Sequence, residues 1–313
     1  MLTRGWRIRG WRWKTFGKHL WTKLNTDDML NRAAILSFYF LLALFPLLLF
    51  LTALLGSFAD AGSEWRRNLL IYLSAIVPVS AFDLITTTLD EISQNSSGGK
   101  LSFGLLTSLW FASSGMGAII DALNVAYDVK ETRAWWKRTL LAILLTIALA
   151  VLIITALALM FYGSHIAEGI ANRYGFGAAF TAAWIILQWP VVLVFAFLAF
   201  ALIYYLAPDL HEQQLRWLAP GAITGVFLWL LVSFLFGLYL NVYNTYSVVY
   251  GSLGAVIILM LWFYLTGVTI LIGGEVNAII EQAAARAGDP EAKAAGEKVP
   301  DESGRVRVHR VQS

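Results

Sequence analysis

Two carboxylates, Asp121 and Glu275, border long apolar runs in this chain, and a third, Asp83, sits in an amphipathic stretch. Carboxylates in such places bind protons, cations or basic side chains. Inside a membrane each ionisable group costs about 2.5–3.5 kcal/mol at the centre and is normally kept for function. None of the three falls in the middle of an apolar run, which argues against conventional proton or sodium coupling and leaves coordination by carbonyls and hydroxyls open. Other chemistry is sparse. The four histidines, His19, His165, His211 and His309, are scattered and give no metal-ligand spacing, and cysteine is absent. No GxSxG elbow, P-loop or Rossmann glycine pattern occurs. The expectation is a non-enzyme with no catalytic residue, no metal and no cofactor.

The elements around these carboxylates are set by apolar runs. From Trp217 to Gly274 the chain has 58 residues without Asp, Glu, Lys, Arg or His, which is two bilayer crossings and a turn at about 20 residues per crossing. Four more crossings come from Ala33–Phe58, Leu101–Ile120, Thr139–Ser164 and Tyr174–Pro208. With 58% hydrophobic residues and a mean hydropathy of +0.67, the chain reads as an all-α polytopic membrane protein. Six transmembrane helices are expected, at about 33–58, 101–120, 139–164, 178–206, 217–240 and 253–275, within a domain of residues 33–282. The first run is too long for a signal-peptide core and lacks a cleavage pattern, so it reads as a retained span.

Basic residues give the orientation, because Lys and Arg stay on the cytoplasmic side. Eight of them precede Ala33, and Lys130, Arg133, Lys137, Arg138 and Arg216 fall in the loops after spans 2 and 4. The tail holds six more, whereas the opposite segments hold only Arg66, Arg67, Lys100 and Arg173. Both termini are therefore expected in the cytoplasm. The same distribution explains the net charge of +3 as span flanks facing anionic lipid, so membrane lipids, and not nucleic acid, are the expected partners.

Three further segments stand apart. Residues 1–32 interleave aromatics with bases, and Trp13, Phe16, Leu20 and Leu24 share one helical face, as in an amphipathic interfacial helix. Residues 69–93, on the external side, carry Phe82, Ile85, Leu89 and Ile92 at helical spacing, with Ser80 and Asp83 as a capping pair, and predict a helix or helical hairpin lying on, or dipping into, the outer leaflet. Residues 283–313 lack apolar periodicity and are expected to be a disordered cytoplasmic tail, dispensable for folding. Within the spans, Gly221 with Gly225 and Ser113 with Gly117 are spaced for close helix approach. Pro46 and Pro190 interrupt spans 1 and 4. Such glycine pairs serve contacts within a chain as readily as between chains, so oligomeric state stays open.

Several strings taken together resemble a family. Asn31-Arg32-Ala33-Ala34 leads into Ser37-Phe38-Tyr39 and Pro46. Ala122-Leu123-Asn124-Val125-Ala126-Tyr127 is followed by Glu131, Arg133, Trp136, Lys137 and Arg138. Later come Tyr204-Tyr205-Leu206-Ala207-Pro208, Leu218-Ala219-Pro220-Gly221-Ala222, Tyr250-Gly251-Ser252-Leu253-Gly254-Ala255 and Gly274-Glu275-Val276-Asn277-Ala278. In this order, over roughly residues 20 to 282, they resemble the YihY/BrkB family of bacterial inner-membrane proteins. The resemblance implies six spans, an all-helical fold, cytoplasmic termini and location in the inner membrane. Family members are described as transporters or as envelope and virulence-associated proteins, and many carry the label ribonuclease BN, for which this chain lacks an acid/base constellation.

Two functions fit the resemblance. One is transport of an amphiphilic or lipid-like substrate, with Arg32, Asn124, Tyr127, Glu131, Arg133, Glu275 and Asn277 at the cytoplasmic end and Tyr250 and Gly251 at the outer end contacting its headgroup. The other is a non-transporting envelope scaffold or virulence-associated protein, in which the same cluster is a latch and the basic flanks recruit an envelope-assembly partner. Arg32 or Arg133 is the expected ion-pair partner of Glu275.

Overall fold

The computed structural model describes residues 13–58, 98–174, 177–211, 213–242 and 252–298. Among them are seven helices and no strand: α1 Trp13–Thr26, α2 Met29–Phe58, α3 Gly98–Ala126, α4 Trp135–Tyr174, α5 Gly177–Leu206, α6 Leu215–Val242 and α7 Ser252–Arg286. A bilayer imposes this class of answer, because a helix satisfies its backbone polar groups internally. Each of the six expected spans lies inside one of α2 to α7. Helices α3 to α7 each contain a window long and apolar enough to cross a membrane. Helix α2 has 30 residues, a reach of about 45 Å at about 1.5 Å per residue. The protein covers only 11% of the α4 window and 6% of the α5 window. So much bare apolar surface, with Ile154, Ile186 and Trp189 among its exposed side chains, suits lipid tails and not water.

The chain forms two compact units, one of Met1–Leu30, Ile119–Trp229 and Thr269–Ser313, the other of Asn31–Ala118 and Leu230–Val268. In the second unit, small residues let helices approach. A Cβ built on Gly267 of α7 would lie 3.3 Å from the Ala33 carbonyl of α2, and one on Gly115 of α3 would touch Phe40 and Tyr39. The Phe40 and Phe263 rings meet edge-on at 5.7 Å.

In the first unit α4 and α5 pack side by side, with Gly163 facing Trp184 and Gln188. Helices α5, α6 and α7 converge on Tyr204, which is fully buried and donates its hydroxyl to the Ile270 carbonyl at 2.8 Å. Both glycines of the Gly221/Gly225 pair are used here: Gly221 abuts Gly273 and Asn277, and Gly225 abuts Phe200 and Tyr204.

Two helix ends are built alike. At the end of α3 the Asp128 N–H donates to Val125 O and the Val129 N–H to Asn124 O, both at 2.9 Å. At the end of α7 the Gly288 N–H donates to Ala285 O at 3.0 Å and the Asp289 N–H to Ala284 O at 3.1 Å. This is the Schellman arrangement, which requires a left-handed residue. Gly288 (φ 87) takes that conformation freely, and Asp128 (φ 58) is one of the few residue types with a side chain that visit it.

The Gly288 turn overturns one expectation. The tail is not structureless from residue 283: α7 continues to Arg286, the chain reverses, and residues 289–298 lie back across the first unit. Ala292 packs with Trp217 and Ala284, and the Lys293 side chain is buried beside Glu281 at 3.3 Å. The physical reason is that the segment needs no apolar periodicity of its own, since buried acids supplied by the rest of the unit hold its lysines. Helix α1 is amphipathic as expected, and its Leu24 is buried in the protein. Residues 1–12, the segment 69–93, Tyr250, Gly251 and residues 299–313 lie outside the described residues.

Candidate functional site

The end of the first unit where α3, α5 and α7 finish gathers four of the expected residues, Asn124, Glu131, Arg133 and Glu275, into two polar groups. The first begins at Asn124, on the last turns of α3. Its Nδ2 donates to Glu131 Oε2 at 2.9 Å, and its Oδ1 accepts the Asp209 backbone N–H at 2.7 Å, so one buried amide ties the loop after α3 to the loop after α5. Glu131 in turn accepts two bonds from the Arg133 guanidinium, at 2.8 Å from Nε and 2.7 Å from Nη2. This two-point pairing is the strongest geometry open to Arg and a carboxylate. Arg133 Nη2 also donates to the Ala207 carbonyl at 2.8 Å, near the end of α5, where helix carbonyls lack intrahelical partners. Burial raises the Glu131 carboxyl, but the bonds from Arg133 and Asn124 outweigh it and hold the group below its ordinary value.

Asp209 closes this group. It accepts the Thr132 backbone N–H at 2.8 Å and the Thr132 hydroxyl at 2.7 Å, and the Lys298 ammonium bonds the same carboxylate oxygen. Burial acts against its charge, yet Lys298 and Thr132 together bring the carboxyl down to about 2. Sequence reasoning singled out neither Asp209 nor Lys298.

The second group surrounds Glu275, a fully buried residue of α7. Neither of its carboxylate oxygens has a hydrogen-bond partner. Its cation is Lys23 of α1, with Nζ 3.7 Å from Oε2. The expected pairing of Glu275 with Arg133 is thereby corrected, since Arg133 is engaged by Glu131. An ammonium has three N–H donors, and those of Lys23 go to Ala126 O at 2.7 Å, Asp27 Oδ2 at 2.9 Å and Asp128 Oδ2 at 3.3 Å. That leaves Glu275 with no N–H donor, only the charge of Lys23 and the Asp27 carboxyl that meets its own. Burial lowers the Lys23 ammonium, but Glu275, Asp27 and Asp128 more than offset it and raise the group above its ordinary value.

Tyr127 is buried with its hydroxyl unpartnered. Burial, then the charges of Glu281, Tyr204 and Glu275, push that hydroxyl well above its ordinary value. Asn277, next but one to Glu275 on α7, joins neither group. Its Oδ1 accepts the Gly221 N–H at 2.6 Å, which fastens α7 to α6 beside Pro220. Among the described residues no group of three His, Cys, Asp or Glu side chains is arranged to hold a metal ion.

The family profile described as Virulence factor BrkB matches residues 20–297. The chain belongs to the BrkB family. The protein described as ribonuclease-like YfkH of Bacillus subtilis (strain 168) is 35% identical over 268 residues, 86% of this chain and 96% of that protein. UPF0761 membrane proteins of Xanthomonas oryzae pv. oryzae and Xanthomonas campestris pv. campestris are 27% identical over 265 residues, 83% of this chain. This chain spans 59% of the length of those Xanthomonas relatives. No solved structure matches. The match to residue 297 takes in the returning segment after α7 except Lys298.

For this BrkB-family protein, the Asp209 pairing predicts a pH effect. A carboxyl lowered from 3.8 to about 2 stabilises the fold above its unfolded value, and the stabilisation disappears as pH falls through the folded one. Asp209→Asn is expected to lose about 1–2 kcal/mol at neutral pH. Melting in detergent should show its gap from wild type closing as pH drops from about 4 to about 2. A gap independent of pH would assign the loss to something other than the ion pair.

Proposed function

We propose that this BrkB-family protein is an inner-membrane transporter of an amphiphilic, lipid-like substrate, with both termini in the cytoplasm and the two polar groups at the cytoplasmic end. The observation that carries this reading is Glu275: a carboxylate fully buried on a span, with no hydrogen-bond donor on either oxygen. Buried polar groups are almost always satisfied, and an acid retained on a membrane-spanning helix is a functional site by default. A gate needs such a feature, because a contact that must open repeatedly has to be weaker than a fully bonded one. Lys23 on α1 is the cation that Glu275 faces, and the bare apolar faces of α4 and α5 suit a substrate whose tails remain in lipid.

The test is transbilayer movement of fluorescent phospholipids in liposomes holding the purified protein. Wild type should accelerate movement, and Glu275→Gln, which removes the charge and keeps the shape, should reduce it at least tenfold while remaining folded. Unaltered movement in the variant would end the role given to Glu275.

The Asn124–Glu131–Arg133–Asp209 group favours a second reading, an envelope scaffold. Its members bond one another and the ends of α3 and α5, which is the behaviour of a latch. A wild type without lipid movement, together with loss of thermal stability in Arg133→Ala, would move the assignment to the scaffold.

A further inference from the structure

The Lys23 ammonium, which the transport reading pairs with Glu275, sits in a wider cage of oxygens. Four oxygens face it: the carbonyl of Ala126 at the end of α3, Asp27 just after α1, Asp128 in the loop after α3, and Glu275 on α7, at 2.7, 2.9, 3.3 and 3.7 Å. Three are carboxylates, so the cage offers a cation more acidic groups than one lysine occupies. The carbonyl end of a helix adds to its attraction for a cation. Asp128 is fixed in place by the Schellman turn, at the expense of a left-handed backbone, and by Gln282 Nε2, which donates to Asp128 Oδ2 at 3.2 Å. Glu275, fully buried, lies beside Nζ and against the Asp27 carboxyl with no N–H donor on either oxygen, so it can accept one from a cation in the cage.

Donor number separates the cations that this cage suits. A primary ammonium presents three N–H groups to three acceptors within hydrogen-bond reach, whereas a quaternary ammonium has none. Lys23 arrives on a flexible stem from α1, whose Lys14, Lys18 and Trp21 are exposed on the helix while Leu24 is buried.

We infer that the cage of Ala126 O, Asp27, Asp128 and Glu275 is a binding site for primary ammonium groups, occupied in cis by Lys23, and that the amine headgroup of a primary-amine amphiphile takes the place of Lys23. The second half rests on the transport reading; the first does not.

The experiment is chemical rescue. Lys23→Ala deletes Cγ, Cδ, Cε and Nζ, the atoms of n-propylammonium. Adding that cation should raise the melting temperature of the variant by several degrees and saturate, with little effect on wild type. Tetramethylammonium at the same ionic strength should do much less. Equal responses to both cations, or none to either, would overturn the site. Should the variant be recovered only with amine present, it is purified in n-propylammonium and in tetramethylammonium side by side; monodisperse protein in the first alone supports the cage, and the same result in both, or protein in neither, overturns it.

A second arm tests the headgroup in liposomes with wild type. Fluorescent phosphatidylethanolamine should cross at least tenfold faster than the matched phosphatidylcholine. Equal rates would reject the amine headgroup while leaving transport standing, and rescue without any lipid movement would reject transport while leaving the cage.

Discussion

A chain ended after Arg286 is expected to lose about 10 °C of melting temperature in detergent, even though it keeps all seven helices. The lost segment supplies the Lys293 ammonium, 3.3 Å from Glu281 with both side chains almost fully buried. It also supplies Lys298, which bonds Asp209 and donates to Thr132 Oγ1 at 2.6 Å. On its near side Asp289 and Glu291 hold Arg216 at 3.1 and 2.5 Å, and the Gly296 N–H reaches Tyr127 O at 3.3 Å. Removing one partner of a buried pair costs about 3–5 kcal/mol because the other charge stays behind uncompensated. Glu281 meets that description most fully; Asp209 keeps Arg133 at 3.7 Å. For a chain of this size such a loss corresponds to about 10 °C. A chain ended after Lys298 keeps every contact named here and is the control. Equal melting of the two truncations would mean that the returning segment adds nothing to the fold.

That segment also marks the boundary of what the residues disclose by themselves. The six spans are legible because lipid imposes a length and forbids charge, and both are local properties of a run. Glu275 is legible as an acid ending a charge-free stretch of 58 residues. Asn124, Glu131 and Arg133 stand in one short motif, and the structure bonds them together. Lys23 is different. In sequence it is one of eight bases before the first span, and nothing local distinguishes a base that faces lipid headgroups from one that enters a cage of carboxylates. Pairing between distant segments leaves no period to read. The tail is illegible for a related reason, since a composition of Ala, Glu, Lys and Gly resembles disorder when the acids that will bind its lysines lie elsewhere. One local trace is present: Gly288 followed by Asp289, just past the last helical residue, is the pattern of a helix stop that turns the chain back.

Alanine placed at three glycines of α6 is expected to separate close packing from mere helix composition. At Gly237 an added methyl carbon meets nothing within 4 Å, and alanine there should match or slightly exceed wild type, since it favours helix by up to about 1 kcal/mol. At Gly225 the new carbon would fall 2.6 Å from the Phe200 ring and 2.9 Å from the Tyr204 hydroxyl. Side chains can give way, so a loss of about 1–3 kcal/mol is expected. Gly221 is the severe case. Its Cβ would collide with the carbonyl of Gly273 and with Asn277, and backbone cannot rotate aside as a ring does. To accommodate it α6 and α7 must separate, which breaks the 2.6 Å bond from the Gly221 N–H to Asn277 Oδ1 at a point where Pro220 has already removed one helix donor. Gly273 is equally closed, because a carbon there would strike Tyr204, whose hydroxyl is committed to Ile270 O. Gly221→Ala should therefore yield no monodisperse protein, or protein melting more than about 10 °C below wild type, from overpacking and a lost buried bond together. Equal melting of the Gly221 and Gly237 variants would refute the contact. The graded order matters beyond stability: a glycine pair filled by Gly273, Asn277, Phe200 and Tyr204 of its own chain has no surface left to offer a second copy.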